Sequence, residues 1–114
     1  MSSAPPLPGA RRLLAAALCL ALLGCAAIEG ASLYREGTRA LERGDAESAV
    51  RALERAAERV PEASEVQNHL GLAYLASGRR DDARRAFERA LALDCNNDAA
   101  RHNLILLSDD SSMR

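Results

Sequence analysis

Hydrophobic and polar residues are arranged in two different ways along this chain. From Leu13 to Leu23 eleven residues pass without a charge (LLAAALCLALL), and the uncharged stretch extends to Ile28. Beyond Gly30, apolar residues are interleaved with Arg and Glu in helix-length runs separated by breakers. These runs predict helices over Ser32–Arg43, Ala46–Val60, Ser64–Ser77, Asp81–Leu93 and Asp98–Leu107, divided by Gly44, Pro61, Gly78 and Asn96-Asn97. Asp45 is placed to cap the second run by accepting from its first free amides. Pro61 cannot continue that run and stops it. Ser64 and Gln67 form the Ser-x-x-Gln pattern of a capping box. The three aromatics (Tyr34, Tyr74, Phe87) and the Ala/Leu/Glu/Arg-rich body argue against a β-sandwich or barrel, so the fold class is all-α.

The runs repeat. Gly37 returns as Gly71, Gly44 as Gly78, Ala49 as Ala83 and Ala56 as Ala90, each 34 positions later; Leu53 is matched by Phe87, Ala40 by Tyr74 and Pro61 by Cys95. Such a period describes a helix-turn-helix unit stacked on a copy of itself. A glycine inside a helix costs about 1 kcal/mol, so Gly37 and Gly71 require a packing reason. We expect Gly37 to face Ala49 and Gly71 to face Ala83, with larger residues such as Leu33, Leu53, Leu70, Tyr74, Phe87, Leu91 and Leu104 filling the gaps.

The stretch Leu70-Gly71-Leu72-Ala73-Tyr74, followed by Ala83, Phe87 and Ala90, resembles the tetratricopeptide repeat (TPR). A first copy carries Leu33, Gly37, Ala49, Leu53, Ala56 and Pro61. This resemblance implies a short helical solenoid: repeat 1 over 31–63, repeat 2 over 64–97, a capping helix over 98–108 and a disordered tail over 109–114. It also implies a concave binding groove built from the first helices, with Ala31, Tyr34, Thr38, Leu41, Glu65, Asn68, Leu72, Leu75, His102 and Leu106 along it. The Lys/Asn/Arg set of a carboxylate clamp is missing, so that groove suits a peptide or helix better than an anionic tail.

Before the repeats, Arg11-Arg12, the apolar run and Gly24-Cys25 have the layout of an export signal. Leu22-Leu23-Gly24-Cys25 resembles the lipobox of bacterial lipoproteins. That resemblance implies a signal peptide over 1–24, acyl chains on Cys25, and a short linker over 25–30. With Ala26 and Ala27 after the cysteine, it implies a lipid-anchored protein of the bacterial envelope, in the outer membrane facing the periplasm. The alternatives are a plain signal or a transmembrane anchor; at 16 uncharged residues the stretch falls short of the roughly 20 a spanning helix needs.

Charge and chemistry narrow the function. All 15 basic residues are Arg, against 16 Asp and Glu, for a net charge of −1; without a basic excess, nucleic acid is not an expected partner. His69, His102 and Cys95 are the only soft ligands after the signal, and they lack metal-site or catalytic spacing. No cofactor, no metal and no enzymatic activity are therefore expected. The i, i+4 pairs Glu47/Arg51, Asp81/Arg85 and Arg84/Glu88 read as surface ion pairs. Cys95 is either a helix-end residue or the source of an intermolecular disulfide. The expected role is a membrane-anchored protein–protein adaptor, similar to lipoprotein assembly factors of pili and secretion systems. Because two repeats plus one helix fall below the usual three, and Leu104–Leu107 is apolar on most sides, a self-associating structural lipoprotein (a homodimer) is the alternative.

Overall fold

The computed structural model describes residues 8–113. Among them are five α-helices and no strand: α1 (Pro8–Glu42), α2 (Ala46–Arg59), α3 (Ser64–Ala76), α4 (Arg80–Leu93) and α5 (Asp98–Ser112). Helices α1 and α2 form one hairpin, α3 and α4 a second, and α5 packs against α4 at the end of the stack.

The hairpin turns sit at the predicted glycines. Gly44 and Gly78 have φ of 75° and 78°, a left-handed conformation that glycine adopts without a Cβ penalty. Around each, two amides reach back into the helix: Gly44 N–H to Leu41 O (3.0 Å) and Asp45 N–H to Ala40 O (2.9 Å), then Gly78 N–H to Leu75 O (3.0 Å) and Arg79 N–H to Tyr74 O (2.8 Å). This is the Schellman arrangement, which satisfies carbonyls that a helix end leaves open. Asp45 then starts α2, its carboxylate accepting from Ser48 N–H at 3.1 Å.

Close approach within each hairpin depends on the helical glycines, but their partners differ from those expected. A Cβ on Gly37 would stand 2.5 Å from Leu53 Cγ, and one on Gly71 would overlap the Phe87 ring. Leu53 and Phe87 are the largest fully buried side chains. The glycines therefore act as sockets for the bulkiest residues, while Ala49 and Ala83 fill the core beside them. Ala56 sits with Leu33 and Val66 where the first hairpin meets α3. One period after Gly71 stands Ile105, which is 52% exposed. Its side chain stands at the position that is a glycine socket in α1 and α3.

Other expectations are corrected. Residues 25–30 are not a linker: α1 runs unbroken from the apolar segment into the first repeat. Nothing between Ile28 and Ser32 breaks a helix, and Gly30 is a contact point where a Cβ would meet Val60 Cγ1 at 2.9 Å. The capping box does not form; α3 has no side-chain cap. Ser64 Oγ instead donates to Ala90 O (2.9 Å) and accepts from Asn97 Nδ2 (2.7 Å), tying three elements together. The expected tail from 109 is helical to Ser112, because Arg80 reaches from α4 to Asp110 (2.7 Å) and to Leu107 O (3.2 Å). Helix α4 begins at Arg80, one residue earlier than expected. None of the three expected ion pairs forms among the described residues. Asp82 takes Arg79 and Arg85, Asp98 takes Arg101, and Arg59 pairs with Glu29 at 3.1 Å.

The N-terminal part of α1 projects from this core. Leu13, Leu14, Leu18, Leu20, Leu22, Leu23 and Ile28 are 63–74% exposed, and their projection stretches the molecule to 82 × 28 × 18 Å.

Candidate functional site

The first helices of the units, α1, α3 and α5, are cross-tied by polar pairs with one repeated offset. Tyr34 of α1 meets His69 of α3, with the rings edge to face at 5.1 Å. His69 Nδ1 lies 3.0 Å from Glu65 O and 3.2 Å from the Tyr34 hydroxyl oxygen. A carbonyl oxygen can only accept, so the Glu65 contact requires the Nδ1–H tautomer, whereas the tyrosine hydroxyl can pair with either tautomer. Asn68 of α3 is nearly buried (6% exposed) and accepts from Asn103 Nδ2 of α5 at 3.0 Å. Each tie joins a residue to one 35 positions later, so the repeat carries its own inter-unit contact. His102 holds the next place in the Tyr34–Asn68 series and is exposed.

The remaining predicted groove residues divide into two groups. Leu41 is half-buried against the first hairpin's core, together with Tyr34. Leu72 and Leu75 pack against Ala83, Phe87 and Leu107, so part of their surface supports α5 rather than lying open. Thr38 Oγ donates to Arg35 O one turn back (3.0 Å). His102 and Leu106 are exposed on α5, Leu106 at 54%. His69 and His102 are not brought together, because His69 turns to Tyr34.

Beside the Tyr34 tie lies an apolar hollow of about 240 Å³ lined by Ala27, Gly30, Ala31 and Tyr34 of α1, Val60 and Ala63 of the α2–α3 connection, and Glu65 and Val66 of α3. Burial, and secondarily the nearby Glu65 carboxylate, raises the Tyr34 hydroxyl pKa above its ordinary value. Val60 and Ala63 were not foreseen as lining; the signal available was their apolar character on either side of Pro61.

A second polar cluster, missed in the sequence reading, joins α2 to α3. The Tyr74 hydroxyl donates to Glu54 Oε1 at 2.7 Å, and the Arg79 guanidinium lies 4.6 Å from the ring centroid. Burial first, then the bond to Glu54, push the Tyr74 pKa up to about 12. The Asp82 carboxyl is held below its usual range by its Arg79 hydrogen bond, and Asp45 by its bonds to Ser48. These contacts fix helices rather than gather reacting groups. Among the described residues, no group of three His, Cys, Asp or Glu side chains converges on a point where a metal could sit.

Cys25 is exposed on the projecting part of α1, and Cys95 is exposed in the α4–α5 connection. By length and composition α1 is long and apolar enough to cross a membrane, a test that an N-terminal signal sequence passes equally.

No curated protein matches this chain. The tetratricopeptide repeat profile matches residues 34–100, more than half of the sequence and the region of both hairpins up to the start of α5. With the 34-residue register, the glycine sockets and the paired helices in place, the chain belongs to the tetratricopeptide repeat family.

Proposed function

We propose that this protein is a non-catalytic, membrane-anchored adaptor of the bacterial cell envelope that holds a segment of another envelope protein in its groove. The observation that carries this reading is the cross-tied row of first helices, fixed by Tyr34–His69 and Asn68–Asn103 with an apolar hollow open beside it. A groove held open by its own side chains binds without first being ordered, which lowers the cost of association. In this reading the exposed leucines of α1, Leu13–Leu23, belong to the export signal that is removed on processing. Cys25, at the end of that apolar segment, is the proposed acylation site, and several acyl chains give stable anchoring. The proposed location is the outer membrane facing the periplasm, and the proposed role is assembly of a pilus or secretion system.

Two measurements test this. Metabolic labelling with an alkyne fatty acid should mark the wild-type chain and not Cys25→Ala; undiminished labelling of the variant would remove Cys25 from the account. For the groove, Ala31→Trp and Leu106→Glu should lose cross-linked envelope partners that the parent chain captures. Both positions are exposed, unlike Leu72 and Leu75, whose replacement would disturb α5. Retention of all partners by both variants would contradict groove binding.

Self-association is the second reading, favoured by Ile105 and Leu106, which stand more than half exposed on α5. Light scattering in detergent would decide: a mass that halves on Ile105→Glu supports it, and a monomeric parent chain rules it out.

A further inference from the structure

We infer that the hollow beside Tyr34 is an anchor site for a cationic segment: one large apolar side chain seated in the cavity, with a Lys or Arg beside it paired to Glu65. This rests on the groove reading above and adds the chemistry of the occupant. Apart from Glu65, the hollow is lined by glycine, alanine, valine and Tyr34, so its interior favours an apolar group. Its charge comes from Glu65. The carboxylate is exposed and makes no ion pair among the described residues. Arg59, at the end of α2, is paired with Glu29 at 3.1 Å.

Of the ten groove positions (31, 34, 38, 41, 65, 68, 72, 75, 102 and 106), Glu65 is the one Asp, Glu, Lys or Arg. The arginines of the repeats stand at other positions: Arg35, Arg39 and Arg43 on α1, and the rest mainly on α2 and α4. A Lys or Arg on an incoming segment meets an exposed carboxylate at Glu65, whereas an Asp or Glu placed there is repelled. Charge arranged in this way selects a partner more than it adds bulk affinity.

The test uses the full-length chain in lipid nanodiscs and a displayed library of random twelve-residue peptides. On the parent chain, enriched peptides should carry a large apolar residue with Lys or Arg within one helical turn. Glu65→Lys should weaken those peptides roughly fivefold, by losing an exposed pair and opposing like charges, and reselection on it should enrich Asp and Glu instead. Ala31→Trp, which fills the hollow from an exposed position, should abolish their binding, and unchanged far-UV circular dichroism checks that both variants are folded. Peptides lost on Ala31→Trp but neutral or acidic in charge would overturn the cationic inference while leaving groove binding intact. Peptides indifferent to Ala31→Trp would overturn both. Enrichment unchanged by Glu65→Lys would remove Glu65 from recognition and overturn the inference as stated.

Discussion

Replacing Gly71 by alanine sets two effects against each other. Helix propensity alone favours the change by about 1 kcal/mol. The new methyl, however, would stand 2.7 Å from Cδ1 and 2.8 Å from Cζ of Phe87, and in collision with Cε1. Phe87 is 0% exposed and walled by Ala83 and Leu107, so the ring cannot swing away, and α3 and α4 must separate. Overpacking of this kind costs about 1–3 kcal/mol. We take the upper end because three ring atoms are involved, giving a net loss of about 2 kcal/mol. Urea denaturation of the full-length chain in mild detergent, followed by Tyr34 and Tyr74 fluorescence, measures it without interference from tryptophan, which the chain lacks. Shrinking the ring supplies the internal check: in the Gly71→Ala/Phe87→Leu pair the two losses should be less than additive by about 1 kcal/mol. A Gly71→Ala variant as stable as the parent, or more so, would refute the socket argument and leave helix propensity as the whole effect.

Three further outcomes follow from particular contacts. Tyr74 has its folded pKa raised to about 12, so it is neutral in the fold where the unfolded chain begins to ionise; the stability it contributes is present below about pH 10 and is lost as pH rises toward 12. In absorbance titration Glu54→Gln should move that midpoint downward, and an unmoved midpoint would exclude Glu54 as a contributor. Arg80→Ala removes the clamp on Asp110 and Leu107 O, so amide exchange should quicken in the last turns of α5 while α3 and α4 keep their protection; uniform exchange across the chain would contradict a local role. Asn97→Ala deletes both the α5 cap on Ala100 N–H and the bond to Ser64. It should cost about 1–2 kcal/mol by denaturation, whereas Asn96→Ala, whose side chain takes no part in either bond, should be near neutral.

Much of this fold could be read from spacing, because the features that define it are local. Gly44 and Gly78 mark turns that only a left-handed residue closes, and Asp45 caps the helix it precedes. The 34-residue register located the two hairpins without any knowledge of their contacts. Spacing could not show which residue meets each glycine, since that depends on how two helices cross; Leu53 and Phe87 were recognisable as core but not as the partners of Gly37 and Gly71. Errors gathered where tertiary contacts outweigh local signals. Ser64 has the sequence of a cap, yet its hydroxyl is drawn to Ala90 O and Asn97. The polar end of the chain reads as a tail, yet Arg80, thirty residues earlier, holds it helical. Gly30 reads as part of a linker, but it is a point of contact under Val60 in a continuous helix. The groove positions came from the repeat register. The hollow did not, because Val60 and Ala63 reach it from a connection whose path no periodicity describes.

The central claim is that partners bind the concave side. Site-specific photo-cross-linking in intact membranes tests it most directly, with the photoreactive residue placed in turn at Ala31, at Leu106 and at Arg89, all exposed. The first two lie along the groove, and Arg89 lies on α4, outside it. Adducts with another envelope protein from positions 31 and 106, and none from 89, are the predicted result. Adducts from 89 with none from the groove positions would contradict it.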